Sequence, residues 1–380
     1  MPIPDSQAFL HGLLRQLVEQ KGSDLFLTAG YPPALKVDGV VHPAAREPLS
    51  AEDTAALGRF LMNARQSGEF AETSECNFAV HPEGIGRFRV NAFVQQGRVG
   101  LVLRTINTEI PRLEDLGLPL MLQDLVMAKR GLILVVGATG SGKSTTLAAL
   151  VGHRNANSRG HIVTVEDPVE FVHQHRGCII TQREVGVDTF SWAAALKNAL
   201  RQAPDVVLIG EVRDRDTMEH AVTFAETGHL CLGTLHATST NQALDRIVNF
   251  FPEDRRPQLL MDLSLNLRAI LSQRLIPRKA GAGRIPAVEI LVNSPLVQEL
   301  IFKGEIVGLK DLMKRSRELG MQTFDQSLFE LHEQDLITYE DALRNADSVN
   351  DLRLQIKLHG KGGGREGLKR EAGKFQILGG

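Results

Sequence analysis

The chain has 380 residues, 43% of them hydrophobic and 23% charged, with a formal net charge of −2. That length supports two domains and a substantial core. The near-neutral charge argues against a nucleic-acid coat or a strongly membrane-attracted surface. Cys76, Cys178 and Cys231 are odd in number and far apart, and no CxxC pair occurs. Reduced thiols are therefore expected, rather than a disulfide framework or a zinc knuckle. No apolar run approaches the ~20 residues that span a bilayer, and the opening "MPIPDSQAFLHGLLRQ" lacks the basic start of a secretory signal. A cytosolic protein without direct membrane insertion is expected, with any membrane association made through a partner.

In chain order, Phe9, Leu10, Leu13, Leu14, Leu17 and Val18 recur at helical spacing, predicting an amphipathic first helix that "KGSD" ends. Short strand-like runs follow at "DLFLTAG", "PALKVDGVV", "NFAV", "GRFRVNAFVQQG" and "RVGLVLRTI". Between them "SAEDTAALGRFLMN" reads as a helix, with Ser50 as its cap and Asp53 three residues on. Strands mixed with a few helices predict a small α+β domain over residues 1–107. The proline-bearing stretch at 108–118 reads as a linker.

From Leu132 the pattern changes to alternating strands and helices: "LILVVG", "HIVTVED", "DVVLIGE" and "HLCLGTLH" are short buried strands with helical stretches between. This predicts a mostly parallel sheet with crossover helices in a domain spanning 119–358. After Pro252 the chain reads mainly as helices, with one strand candidate at "RIPAVEILV". The glycine- and lysine-rich stretch 359–380 is expected to be a flexible tail.

"GATGSGKS", Gly137 to Ser144, fits GxxxxGK[ST] at every fixed position and lies between a strand and a helix. Glycines there let backbone N–H groups curl around phosphate oxygens, and the following helix points its positive end at the same anion. Gly137, Thr139, Gly140, Ser141, Gly142, Lys143, Ser144 and Thr145 are thus the candidate ATP-binding residues. Lys143 is expected on the β- and γ-phosphates, and the Ser144 hydroxyl on Mg2+. Hydrolysis also needs carboxylates, and two places compete. "TVEDPVEF" supplies Glu166, Asp167 and Glu170 around a turn at Pro168, and "LIGE" supplies Glu211 where an aspartate would be usual. Both follow strands, whose carboxyl ends hold ligands in such sheets. Gly210 is expected to leave space near the phosphates. His229 and His236 flank a strand, at odd separation, and are expected at its two ends.

In order and spacing, "GATGSGKST", "TVEDPVEF", "LIGEVRD" and "TGHLCLGTLHATST" resemble the secretion-ATPase superfamily. They match its Walker A, Asp-box, atypical Walker B and His-box motifs. "GSDLFLTAG" and "GRFRVNAF…LRTI" look like its PAS-like N-terminal domain. The resemblance covers nearly the whole chain and is strongest to the type IV pilus retraction ATPases, the PilT/PilU family, on its PilU side. "EILVNSPLVQELIFKGEI" departs from the retraction segment usual in PilT. No four-cysteine zinc insertion, usual in assembly and export motors, is present.

The resemblance implies a PAS-like α+β domain followed by a RecA-like P-loop ATPase domain, assembled as a homo-hexamer. It implies Glu170 as general base with Glu166 nearby, and Glu211 near magnesium. It also implies His229 near the γ-phosphate and His236 as a second polar member of that box. Arg89 and Arg104 would reach a neighbouring subunit's nucleotide. Implied partners are a PilT-like retraction ATPase and the inner-membrane pilus platform protein, which would hold the ring peripherally at the inner membrane. The competing readings are an assembly or type II export motor, a RecA-like nucleic-acid translocase, and a partner that binds nucleotide without hydrolysis. The translocase would want basic or aromatic pore residues, and this chain has few aromatics, so no nucleic-acid partner is expected.

Overall fold

The computed structural model describes residues 5–106, 109–281 and 283–360. The tail expected at 359–380 therefore lies outside the described residues from 361 onward, as do Asn107 and Thr108 at the expected domain boundary. The chain divides into two compact units. The first takes the chain through Ile110 together with Asp167–His173 and Gln182–Trp192; the second takes Pro111–Glu166, Gln174–Thr181 and the chain from Ala193. The two later segments of the first unit fall inside 119–358, a stretch that the sequence assigns wholly to the ATPase domain.

In the first unit, β1 (Asp24–Thr28), β2 (Ala34–Val37), β3 (Val40–Pro43), β4 (Glu75–Val80), β5 (Arg87–Gln95) and β6 (Arg98–Ile106) form one sheet. Its order is β3-β2-β1-β6-β5-β4, and the pairings are antiparallel. Helix α1 (Ser6–Glu19) starts where the Asp5 carboxylate accepts from the backbone of Gln7 and Ala8. Helix α2 (Ala51–Leu61) opens on the expected capping box of Ser50 and Asp53. Strand β5 alternates as a half-buried strand must: Phe88, Val90 and Ala92 are buried while Arg87, Arg89 and Asn91 lie on the other face. The buried set joins Leu10, Leu14 and Leu17 of α1 and Leu57 of α2 in one core. Helix α3 (Ala64–Thr73) was not visible in the sequence pattern. Its one buried residue is Gln66, which caps it with Asn63, so no apolar stripe marks it.

The second sheet contains β7 (Gly131–Val136), β8 (Gly160–Glu166), β9 (Cys178–Glu184), β10 (Val206–Ile209), β11 (Leu230–Leu235), β12 (Leu267–Pro277) and β13 (Arg284–Val292). Its order is β13-β12-β7-β11-β10-β8-β9. From β12 across to β8 the neighbours run parallel, and β13 returns antiparallel to β12. Helices α4 (Met121–Val126), α5 (Lys143–Asn157), α6 (Trp192–Ala199), α7 (Arg215–Glu226), α8 (Thr240–Asn249) and α9 (Arg256–Asn266) accompany the strands. Helices α10 (Pro295–Lys303), α11 (Leu309–Arg315), α12 (Phe324–Glu333), α13 (Tyr339–Asn345) and α14 (Val349–His359) follow.

Three expectations need correction here. After Pro252 the chain is mainly helical, but it carries two strands where one was expected: β12 supplies eleven residues of the second. It runs between β7 and β13, so Ala269 to Gln273 are buried without a break and no period of two survives. Strand β9 was missed too. The stretch read as a linker is not free, because Leu113 and Leu118 are buried in the second unit's core with Leu122 and Val126 of α4. Cys76, Cys178 and Cys231 are buried and unpaired. No helix among the described residues is long and apolar enough to cross a membrane.

Candidate nucleotide site

The parallel register places the carboxyl ends of four strands along one edge of the second sheet. Strand β7 runs into the glycine loop, β11 into His236, β10 into Gly210-Glu211, and β8 ends on Glu166. The loop is tightly built. A Cβ on Gly137 would lie 2.3 Å from Ser141 Oγ and 2.7 Å from the Gln273 carbonyl oxygen. Gly142 has φ +89° and a Cβ there would lie 2.7 Å from Gln273 Nε2. Gly140, at φ +76°, has nothing within 4 Å of its Cβ position, and Ala138 and Thr139 are exposed beside it. The loop is thus packed on the sheet side and open on the other, as a phosphate cradle requires.

Lys143 is 8% exposed, and its Nζ donates to the carbonyls of Gly137 (2.8 Å) and Ala138 (3.0 Å). Burial lowers the ammonium's pKa, and the charge of Glu211 raises it in part. Ser141 Oγ is buried with no hydrogen-bond partner. Ser144 is exposed and Thr145 half-buried in the first turn of α5. A buried cation, an orphaned hydroxyl and a helix N-terminus around an open loop fit a polyphosphate.

Glu211 is held by β11. Thr234 Oγ1 donates to the carbonyl of Gly210, and the backbone N–H of Val212 donates to the Thr234 carbonyl (2.7 Å). Both neighbours of Glu211 are therefore anchored on one threonine, which sequence reasoning passed over inside the His-box text. His236 Nε2 lies 3.3 Å from Glu211 Oε1, and each side chain is 40% exposed. Arg246 donates to the His236 carbonyl (2.9 Å), fixing the turn that carries it. Glu166 accepts from Thr164 Oγ1 (2.6 Å) on its own strand.

Gly210 serves a purpose other than the one expected of it. A Cβ there would lie 3.0 Å from Glu166 Cα and 3.2 Å from the Val165 carbonyl oxygen. It therefore lets β10 close on the end of β8, and the space it leaves adjoins Glu166.

The two histidines separate. His236 stands at the loop end of β11, whereas His229 precedes Leu230, which pairs with Gly131 at the start of β7. The His229 carbonyl accepts from the Gly131 N–H (3.0 Å). Its ring lies at hydrogen-bond distance from Thr227 Oγ1 (3.0 Å) and packs edge-on against Phe224. The six residues of β11 separate it from the glycine loop, about 20 Å at ~3.3 Å per residue. The expectation of His229 beside the γ-phosphate is thereby corrected for the chain's own loop: it closes the end of α7.

Glu170 is exposed and lies in the Asp167–His173 segment of the first unit. In that unit Lys36, Asp24, Arg104 and Arg89 stand in register across four neighbouring strands, on one face. Arg104 Nε donates to Asp24 Oδ1 (2.8 Å), with side-chain exposures of 68% and 5%. Glu184 is buried in the same unit, where burial raises its pKa and the charges of Arg89 and Arg87 lower it.

A family model described as "Type II/IV secretion system protein" matches residues 7–299. The chain is 62% identical over 346 residues to the type IV pilus ATPase PilU of Pseudomonas aeruginosa, covering 91% of each. It is 42% identical over 334 residues to the type IV pilus retraction ATPase PilT of the same organism, covering 88% of this chain and 97% of that protein. Its fold superposes on the crystal structure of a pilus retraction motor PilT with bound ADP. That match has a TM-score of 0.85 at 40% identity, over 91% of this chain and 99% of the other.

Proposed function

The chain belongs to the type II/IV secretion system protein family, and we propose that within it the chain is an ATP-hydrolysing motor subunit that promotes type IV pilus retraction. The observation that carries this reading is the shared strand edge, where a cradle with a buried lysine stands beside Glu211 and His236. The reading is supported by pilus ATPases, 62% and 42% identical, that the chain matches over about nine-tenths of its length.

The residues divide the work. Lys143 releases the Gly137 and Ala138 carbonyls to hold the β- and γ-phosphates of ATP. Ser144 and Glu211 would hold Mg2+, which when bound neutralises phosphate charge. His236 steadies the Glu211 carboxylate, Glu166 stands one strand further along, and Glu170 takes the proton of the attacking water. Arg89 and Arg104 act in trans, since planar guanidinium forks suit phosphate oxygens of a neighbouring copy. On this reading the chain works as a homo-hexamer, with a PAS-like first domain and a RecA-like second. Its partners are a PilT-like retraction ATPase, which it assists, and the pilus platform protein. The site of action is the cytoplasmic side of the inner membrane.

Lys143→Ala tests the reading. Purified protein is expected to lose ATP turnover, and unchanged turnover would refute the site. In a strain lacking the chain, imaged with and without the PilT-like motor, wild-type protein restores retraction and Lys143→Ala does not. Retraction indifferent to the chain in both backgrounds would remove the pilus role.

A further inference from the structure

Strand β12 continues past the point where β7 turns into the glycine loop. Ser272 pairs with Val136, the last residue of β7, so Gln273 stands beside the loop's first residue. Gln273 is 3% exposed, and both ends of its side-chain amide are engaged. Nε2 donates to the carbonyl of Ser141 (2.8 Å), and Oε1 accepts from Thr146 Oγ1 (2.8 Å). A carbonyl can only accept, so the amide has one satisfactory orientation and the Thr146 hydroxyl must be the donor. The two glycines that bound the loop pack on this residue from either side, Gly137 against its carbonyl oxygen and Gly142 against its Nε2.

We infer that Gln273 is the positioning residue of the nucleotide loop. It ties the Ser141 carbonyl toward the sheet, which turns the N–H groups of the Gly142-Lys143-Ser144 segment outward to the phosphates. Through Thr146 it locks the same loop to the first turns of α5, so cradle and helix N-terminus move as one body. Donors fixed before the ligand arrives need no reordering when it binds. The inference rests on the ATPase reading above. Nothing in the GxxxxGK[ST] text indicates this residue, which comes from a strand about 130 positions further along the chain.

Gln273→Met keeps the volume and removes both hydrogen bonds, and Thr146→Val removes one. Binding of a fluorescent ADP analogue to the purified full-length chain is expected to weaken on the order of tenfold in Gln273→Met, the worth of one or two net hydrogen bonds. Thr146→Val should show a smaller loss and Thr146→Ser should restore binding. The two losses should be less than additive in the double variant, since both act through one amide. Thermal unfolding of the same samples separates this from a packing defect. Unchanged ADP affinity and unchanged KM for ATP in a folded Gln273→Met protein would overturn the inference, as would a loss that tracks only the fraction unfolded. Lys143→Ala runs beside them. If it too binds ADP normally, the site reading itself fails; if it alone loses binding, only the role of Gln273 falls.

Discussion

The two sheets carry charge for opposite ends. In the second, the one lysine of the glycine loop is buried and bound to backbone carbonyls, and the Cβ positions of Gly137 and Gly142 are already filled by Ser141 and Gln273. In the first, Arg89 and Arg104 face each other directly on an open face, with Asp24 as the acid in their row. Like charges placed opposite each other cost stability, and Asp24 beside Arg104 and Glu184 near Arg89 offset that cost in part. The difference teaches that the loop's own packing is completed within the chain. The arginine face suits a task completed by something that brings negative charge.

The contrast breaks most visibly at Gly142. With φ +89°, any Cβ there costs roughly 1–2 kcal/mol in the left-handed region, and the Cβ also presses on Gln273 Nε2 at 2.7 Å. Gly142→Ala is expected to lower ATP turnover on the order of 10²–10³-fold, the scale of losing one preorganised donor. Steady-state hydrolysis by the purified variant checks it. Activity within a few-fold of wild type would mean the loop tolerates rearrangement and is not the rigid member of the pair.

The two sheets also differed in how far they could be read. Strand β5 alternates residue by residue across "RFRVNAF", a period that marks a half-buried strand in the sequence alone. Strands β7, β10 and β11 are buried throughout and were found by their neighbouring turns and motifs. Strand β12 has neither alternation nor motif, and with it went Gln273. The glycine loop, Glu211 and His236 follow the ends of β7, β10 and β11, strands that the motifs themselves mark. His229 does not, and odd spacing along a strand says that two residues differ in position but not which end faces the loop. Gly210 was misjudged for a similar reason: its neighbour is Glu166 on another strand, a contact of the folded sheet that no local pattern encodes.

Acid should separate the units next. His173, in the first unit, is half-buried, and loss of water around its ring pushes its pKa down to about 4. The unfolded chain takes the proton near pH 6.5 and the folded one resists until near 4. The contribution is therefore complete above pH 6.5 and is lost as pH falls through that window, up to about 3 kcal/mol. Glu184 in the same unit works in the opposite sense, because burial raises its pKa, so the comparison must be with a variant that leaves Glu184 alone. The unfolding midpoints of wild type and His173→Phe are expected to draw apart in favour of the variant between pH 6.5 and 4.5. Parallel curves would show that the ring is not the acid-sensitive element.

The smallest effect on stability is expected at Arg104, and its smallness is the point. The guanidinium is 68% exposed and its pair with Asp24 is open to solvent on the arginine side, so its loss should cost no more than ~1 kcal/mol. Asp24 keeps a second donor, the Ser23 hydroxyl at 2.7 Å, and is not left without a partner when the arginine goes. Arg104→Ala should therefore unfold close to the wild-type temperature while hydrolysing ATP far more slowly. Mixing it with Lys143→Ala subunits sharpens the test. If the arginine serves a neighbour's nucleotide, a ring of the two variants contains interfaces where an intact loop meets an intact arginine, and part of the activity returns. If it serves its own chain, every subunit in the mixture is defective and none returns. A melting temperature that falls steeply in Arg104→Ala would instead make the arginine face a structural element of the first sheet, and the contrast between the two sheets would collapse.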